Sequence, residues 1–263
     1  MKGSVSGVIN FSADSSDGGC WSNTSPELTQ QKLLSREVEI RDASSLDRNA
    51  SLQIEGFTRQ NMPLHESAWQ DAAWLEQVYL PAAAEMVKDI SGADYTEPFL
   101  GGSMIRDSRT SSHAPPATFA HLDFSRQSMA PFVQASGSPD IRQRYPRAII
   151  FNVWRPITEP PQNPPLALCH LQTVEESNWV VGRTLGEGDV GDVEYLTISF
   201  NPSQCWYFYP ELDLDEVIVF KGADTDPQEK MGCFHTAFSR DDLGTRAIPR
   251  ASIEMRVIAF FNA

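Results

Sequence analysis

From residue 95 onward the chain offers apolar runs that are short and are repeatedly cut by proline and glycine. Candidate strands fall at 98–105, 117–124, 147–154, 166–171, 193–200, 205–209, 216–221 and 252–261, with proline-rich joints at 113–116 and 156–165. Strands this short and this often interrupted fit a sandwich or a jelly roll. The length, 263 residues, suits one large domain with a sizeable core. No internal repeat or low-complexity run divides it.

The front of the chain reads differently. Residues 1–30 are polar and include Asp14-Ser15-Ser16-Asp17-Gly18-Gly19, which predicts a loosely ordered arm with a short strand near Val8–Phe11. Val38-Glu39-Ile40 and Ile54-Glu55-Gly56-Phe57 alternate like strands. Residues 66–91 read as helical, because Trp69, Ala73, Val78, Ala82, Met86 and Ile90 recur at roughly helical spacing. Pro81 either opens a second helix or kinks a single one, and Gly92 is the expected stop. The expected organisation is an arm over 1–30 and a mainly β domain over 31–263, with flanking helices as an annex at about 66–91.

Within the β region, His121-Leu122-Asp123 and the distant His235 form the pattern His-x-Asp…His. Two neutral imidazoles and one carboxylate can hold one face of Fe(II) and leave the other face open. On a strand, residues two apart point to the same side, so His121 and Asp123 can share a metal while Leu122 turns into the wall. With 5 His and 35 acidic residues, a His-x-acid pair arises easily by chance, and a plain hydrogen-bonded His–Asp pair is the bland alternative. A double-stranded β-helix (jelly roll, cupin-like) suits the metal reading, since it brings early and late strands together across the mouth of a small barrel.

Charge and cysteine content exclude other classes. A net charge of −14 disfavours nucleic acid and anionic membrane surfaces as partners. No apolar run reaches transmembrane length and the start lacks an apolar signal core, so a cytoplasmic location is expected. Cys20, Cys169, Cys205 and Cys233 make no Cys-x-x-Cys pair, and the last three read as buried small residues in strand-like runs. His65 and His113 stand in polar loops and are read as exposed.

Several stretches taken together resemble a known family. They are Ala120–Ser125, Phe151-Asn152-Val153-Trp154-Arg155-Pro156-Ile157, Pro165–Cys169, Asp215–Lys221, Phe234–Phe238 and Pro249–Arg256. The set, covering roughly residues 35–261, is similar to the non-haem iron, 2-oxoglutarate-dependent hydroxylase/desaturases of the gibberellin desaturase and cephem methoxylase kind. The resemblance implies a double-stranded β-helix with Fe(II) on His121, Asp123 and His235, and with 2-oxoglutarate and O2 as co-substrates. It also implies a clamp for the far carboxylate of 2-oxoglutarate. Arg250 and Ser252 supply a guanidinium and a hydroxyl at i, i+2, with Arg256 as second choice or second cation. Arg155 either meets a co-substrate or substrate carboxylate or locks a strand end by pairing with an acid. Trp154, Trp206, Tyr207 and Phe208 either line an apolar pocket or fill the core. His170 and the run Lys221-Gly222-Ala223-Asp224 depart from the family's usual pattern.

The activity implied is oxygenation at a C–H bond, by hydroxylation or desaturation, of a small hydrophobic secondary metabolite such as a polyketide or terpenoid. A homo- or heterodimer is compatible with it. Two other readings remain at this stage. One is a non-catalytic subunit of a heteromeric oxygenase. The other is a metal-dependent hydrolase or isomerase on the same barrel, which would leave Arg250 and Ser252 without a task.

Overall fold

The computed structural model describes residues 3–22, 25–64, 67–110, 113–186 and 191–262. Its first strands are β1 (Ser4–Ser12), β2 (Cys20–Trp21), β3 (Leu33–Asp42), β4 (Phe57–Asn61) and β5 (Tyr95–Asp107). Next come β6 (His121–Leu122), β7 (Arg147–Pro156), β8 (Gln162–Asn163), β9 (Leu166–Cys169), β10 (Trp179–Thr184) and β11 (Val193–Ile198). The last are β12 (Trp206–Phe208), β13 (Glu216–Asp224), β14 (His235–Ala237), β15 (Ile248–Pro249) and β16 (Ala251–Phe261). Nine strands form one sheet in the order β1-β3-β12-β9-β14-β6-β11-β10-β2, five form a second in the order β4-β13-β7-β16-β5, and β8 pairs with β15.

The two large sheets close on each other as the expected double-stranded β-helix. Their shared core joins Ile9, Ile40 and Trp206 of the larger sheet to Ile150, Ile258 and Phe260 of the smaller. β16 shows how the layers are built. Ile253, Met255, Val257 and Ala259 face outward into a cluster with Tyr79, Leu80, Ala83 and Val87 of the helical annex. Ile258 and Phe260, on the alternate positions, face the space between the sheets. The strand is buried on both sides, so the polar Ser252, Glu254 and Arg256 on the inner face stand inside the barrel.

The annex begins at Asp71, whose side chain accepts from the Ala73 and Trp74 amides. α1 (Ala72–Trp74) runs through a π-helical turn (Leu75–Tyr79) into α2 (Leu80–Ser91), and Gly92, at φ 71°, ends it in the left-handed conformation. Pro81 therefore follows the π turn within a continuous helical run, where it removes one intrahelical hydrogen bond rather than opening a separate helix. The π turn takes up an extra residue and shifts the helix phase. The buried face is Tyr79, Leu80, Ala83, Ala84 and Val87 rather than the stripe through Val78 and Ala82, and Val78 is 46% exposed. Burying Leu80 and Val87 contributes about 2 kcal/mol each.

The arm expected over 1–30 is corrected for its first part. Residues 4–12 pair with β3 in register from Ser4↔Arg41 to Ser12↔Leu33, and Ile9 and Phe11 are fully buried. The alternation of Ile9 and Phe11 with polar neighbours carries this strand, and its apolar side outweighs the polar composition around it. β1 also holds the segment that leads into β6. The Asn10 carbonyl accepts from the Ala120 amide at 2.9 Å, and the Asn10 amide side chain donates to the Thr118 carbonyl at 2.6 Å. Ile54 and Glu55, expected in a strand, form a turn before β4.

Candidate active site

His121 and His235 stand directly opposite each other on neighbouring antiparallel strands, with β14 hydrogen-bonded beside β6. Their rings lie 4.4 Å apart between centroids. Asp123 follows one residue past the end of β6, a shorter strand than the expected 117–124. Ligand atoms of His121, Asp123 and His235 all lie within 4.8 Å of one another, and His121 Nε2 is 3.9 Å from Asp123 Oδ1. The structure thus brings together three groups that are far apart in the chain.

Backbone carbonyls set the ring orientation. His121 Nδ1 lies 2.8 Å from the Phe119 carbonyl, and His235 Nδ1 lies 3.3 Å from the Cys233 carbonyl. A carbonyl can only accept, so each Nδ1 carries the proton and each Nε2 keeps its lone pair for the shared space. Burial, reinforced by neighbouring His235, lowers the His121 pKa to about 4, and burial also lowers that of His235. Both rings are neutral donors near pH 7.

Asp123 is held from behind. Asn152 Nδ2 and Arg256 Nε both donate to its Oδ2, at 2.7 and 3.1 Å, which leaves Oδ1 on the imidazole side. Asn152 and Arg256 are register partners on β7 and β16, so sheet pairing itself aims both donors at one oxygen. Burial pushes the Asp123 carboxyl upward, but Arg256 foremost outweighs this and holds it well below the usual range. Two neutral nitrogens and one fixed carboxylate oxygen fit a divalent first-row metal with open positions.

Beyond the histidines lies a recess lined by Trp154, His235, Arg250 and Glu254. Arg250 is 2% exposed, donates from Nη1 to the Pro164 carbonyl at 3.0 Å, and lies over the Trp154 ring. Its Nε and the Ser252 Oγ are both buried without a hydrogen-bond partner among the described residues. Burial drops the Arg250 pKa to about 9, with Glu254 opposing the fall in part and Arg106 adding to it. A buried cation with an idle donor, next to an idle hydroxyl on the same strand face, fits the carboxylate of a small acid. The recess as it stands has about 20 Å³.

On the other side of His121 and Asp123 is a cavity of about 200 Å³ walled by Phe99, Phe119, Phe124, Phe132 and Tyr195. Arg106 of β5 lines both spaces. Its Nε donates to Glu254 Oε1 at 3.1 Å and its Nη1 to the Pro115 carbonyl at 2.9 Å. Sequence reading passed over Arg106, Asn152 and Glu254. Glu254 and Asn152 stood in the quoted runs, and strand alternation with Ser252, Arg256 and Trp154 was the signal that could have marked them.

Other expected residues fall elsewhere. Arg155 is corrected: it points to the opposite face of β7 from Asn152 and Trp154. Its guanidinium donates to the Leu214 and Met62 carbonyls and lies over Trp69 and Tyr79 of the annex. It locks the helix layer to the sheet through carbonyls rather than through an acid. Arg256 engages Asp123, which takes it from the clamp to the support of the triad. Trp154 lines the inner recess, whereas Trp206, Tyr207 and Phe208 belong to the core. Cys205 is half-buried. His170 caps a short turn by accepting from the Gln172 amide, and Lys221 is tied to Asp224 at 2.6 Å. His113 is half-buried, and His65 lies outside the described residues.

Comparison with known proteins adds the following. A family model described as an oxidoreductase/YMDC permease-like domain matches residues 9–260. No helix among the described residues is long and apolar enough to cross a membrane. The Fe(II)/2-oxoglutarate-dependent dioxygenase nvfI of Aspergillus novofumigatus is 28% identical over 241 residues, 85% of this chain and 83% of its own length. The hydroxylase/desaturase efuI of Hormonema carpetanum is 26% identical, covering 98% of this chain and 95% of its own length. A solved structure of the iron and alpha-ketoglutarate-dependent endoperoxidase NvfI, in a different conformation, superposes with a TM-score of 0.85. That match is 22% identical and covers 100% of this chain and 99% of the other, which establishes the shared fold.

Proposed function

The chain belongs to the oxidoreductase/YMDC permease-like domain family, and from that premise we propose that it is a non-haem Fe(II)/2-oxoglutarate-dependent oxygenase of secondary metabolism. Its reaction is hydroxylation or desaturation at a C–H bond of a small metabolite. The observation that carries this reading is the convergence of His121, Asp123 and His235, with both Nε2 atoms and one carboxylate oxygen turned to a common point. His121, Asp123 and His235 would hold ferrous iron, which with 2-oxoglutarate and O2 would supply the oxidising power, 2-oxoglutarate leaving as succinate and CO2.

The chain's own residues do the rest. His121 and His235 offer neutral nitrogens because their Nδ1 protons are committed to carbonyls. Asn152 and Arg256 restrain Asp123 to one free oxygen. Arg250, seconded by Ser252, takes the far carboxylate of 2-oxoglutarate; Arg256 and Arg155 have other duties. The aromatic cavity holds a hydrophobic substrate next to the centre and excludes water from it. The unit that carries the chemistry includes β1 as well as residues 31–263. Four free cysteines fit a reducing, cytoplasmic compartment. Nothing in the comparisons favours a non-catalytic subunit.

The test is succinate release from 2-oxoglutarate by purified protein given Fe(II) in air. His121→Ala and His235→Ala each abolish it. Undiminished iron-dependent release in both variants would discard the proposal.

A further inference from the structure

The groups around the centre carry more positive than negative charge. Among the described residues, Arg106, Arg250 and Arg256 line the two spaces against only Asp123 and Glu254. The two imidazoles are neutral and add nothing. A ferrous ion and a 2-oxoglutarate dianion cancel each other, so the loaded site keeps one surplus positive charge. A surplus cation shut away from water is stabilised only by an anion or by strong acceptors.

Two of the arginines have assigned partners: Asp123 for Arg256, and the inner recess for Arg250. Arg106 stands at the boundary and is 8% exposed. Glu254 takes Nε and the Pro115 carbonyl takes Nη1. Among the described residues Nη2 has no hydrogen-bond partner, so one edge of the guanidinium remains available. Arg106 also lines the larger cavity, among the rings of Phe99, Phe124, Phe132 and Tyr195.

Resting on the oxygenase reading, we propose that Arg106 is a substrate-recognition residue that receives an anionic oxygen of the substrate. The substrate class is then a ring-bearing apolar molecule with one acidic group. Its body lies against Phe99, Phe124 and Phe132, and its acidic oxygen meets Arg106. Glu254 keeps the other edge of the guanidinium, so the fork is already oriented before substrate arrives. Fixing one end of the molecule at Arg106 determines which carbon faces the centre.

The test compares 2-naphthylacetate with the neutral 2-naphthylacetamide, titrated calorimetrically into anaerobic protein holding Fe(II) and saturating 2-oxoglutarate. The visible charge-transfer band of the loaded protein is recorded first. Its absence in the wild type fails the oxygenase reading itself. With the band present, the acid is expected to bind roughly tenfold or more tighter than the amide, the strength of a charge-assisted hydrogen bond. The double variant R106Q/E254Q removes the pair together and leaves the net charge of the two spaces unchanged, so only the donor at Arg106 is lost. It is expected to keep the band and bind both probes alike. Equal binding or no binding of the two probes by the wild type overturns the proposal. So does an unchanged preference in the double variant. Loss of the band in that variant would place the Arg106–Glu254 pair at the 2-oxoglutarate site and overturn it too.

Discussion

Replacing Arg250 with methionine is expected to push ligand-free stability and 2-oxoglutarate binding in opposite directions. The wild-type guanidinium is 2% exposed, and burial lowers its pKa from 12.5 to about 9. Holding the charged form there costs the ligand-free fold on the order of 5 kcal/mol. Methionine removes that cost but also the Pro164 hydrogen bond and the contact with Trp154, together worth roughly 2–3 kcal/mol. The balance is a stabilisation of roughly 2 kcal/mol, or a rise in Tm of roughly 5 °C for a chain of this size. Binding moves the other way. Losing the buried cation that meets a carboxylate costs roughly 3–5 kcal/mol, which is roughly 10²–10⁴ in Kd. Thermal melts with Mn(II) in place of iron, with and without 2-oxoglutarate, read both effects without turnover. A variant that melts below the wild type when ligand-free, yet shows the same rise with 2-oxoglutarate, refutes the reasoning.

Three more outcomes follow from contacts described above. Asn152→Leu takes away one of the two donors on Asp123 Oδ2 and is expected to weaken Mn(II) binding roughly 10–100-fold by calorimetry; unchanged affinity would show that Arg256 alone suffices. Arg155→Met leaves the Met62 and Leu214 carbonyls unpaired, so it lowers stability to urea by roughly 3 kcal/mol while the 2-oxoglutarate affinity stays at the wild-type value. Asp224→Asn strands Lys221 and Arg147 and costs roughly 3 kcal/mol at pH 7. Burial raises the Asp224 pKa, but Arg147 and Lys221 outweigh it and hold the carboxyl below 3.8. A depressed acid contributes its full stability above its ordinary pKa and loses it as pH falls through the folded value. Urea midpoints are therefore expected to drop below about pH 4 in the wild type, and to drop less in the variant.

The legible parts of the sequence were those encoded locally. Short apolar runs marked β7, β13 and β16 nearly to the residue, because each lies wholly within one strand and needs no partner to be seen. The His121, Asp123 and His235 pattern was legible because coordination chemistry restricts the residue types. What escaped depends on neighbours distant in sequence. The role of Asn152 exists only through its register with Arg256, and that of Arg106 only through Glu254 on the adjoining strand. The annex stripe holds only in part: Trp69, Met86 and Ile90 pack against the annex core, whereas Ala73, Val78 and Ala82 are exposed, because a π turn inserts one residue and strict 3.6-residue counting does not follow the phase through it. Arg155 was decidable in principle. Asn152 and Trp154 share one side of β7, so Arg155 had to take the other.

The anchorage of Asn10 beside Thr118 and Ala120 has a practical consequence. Trimming the chain to begin at residue 31 would strip the outermost strand from β3 and leave Ile40 without Ile9 and Phe11. It would also remove the hydrogen bonds that hold Thr118 and Ala120, immediately before the two-residue strand that presents His121. Proteolytic nicking or an awkward fusion at the front end would then register as poor iron retention, although the cut lies some ninety residues upstream of the nearest ligand.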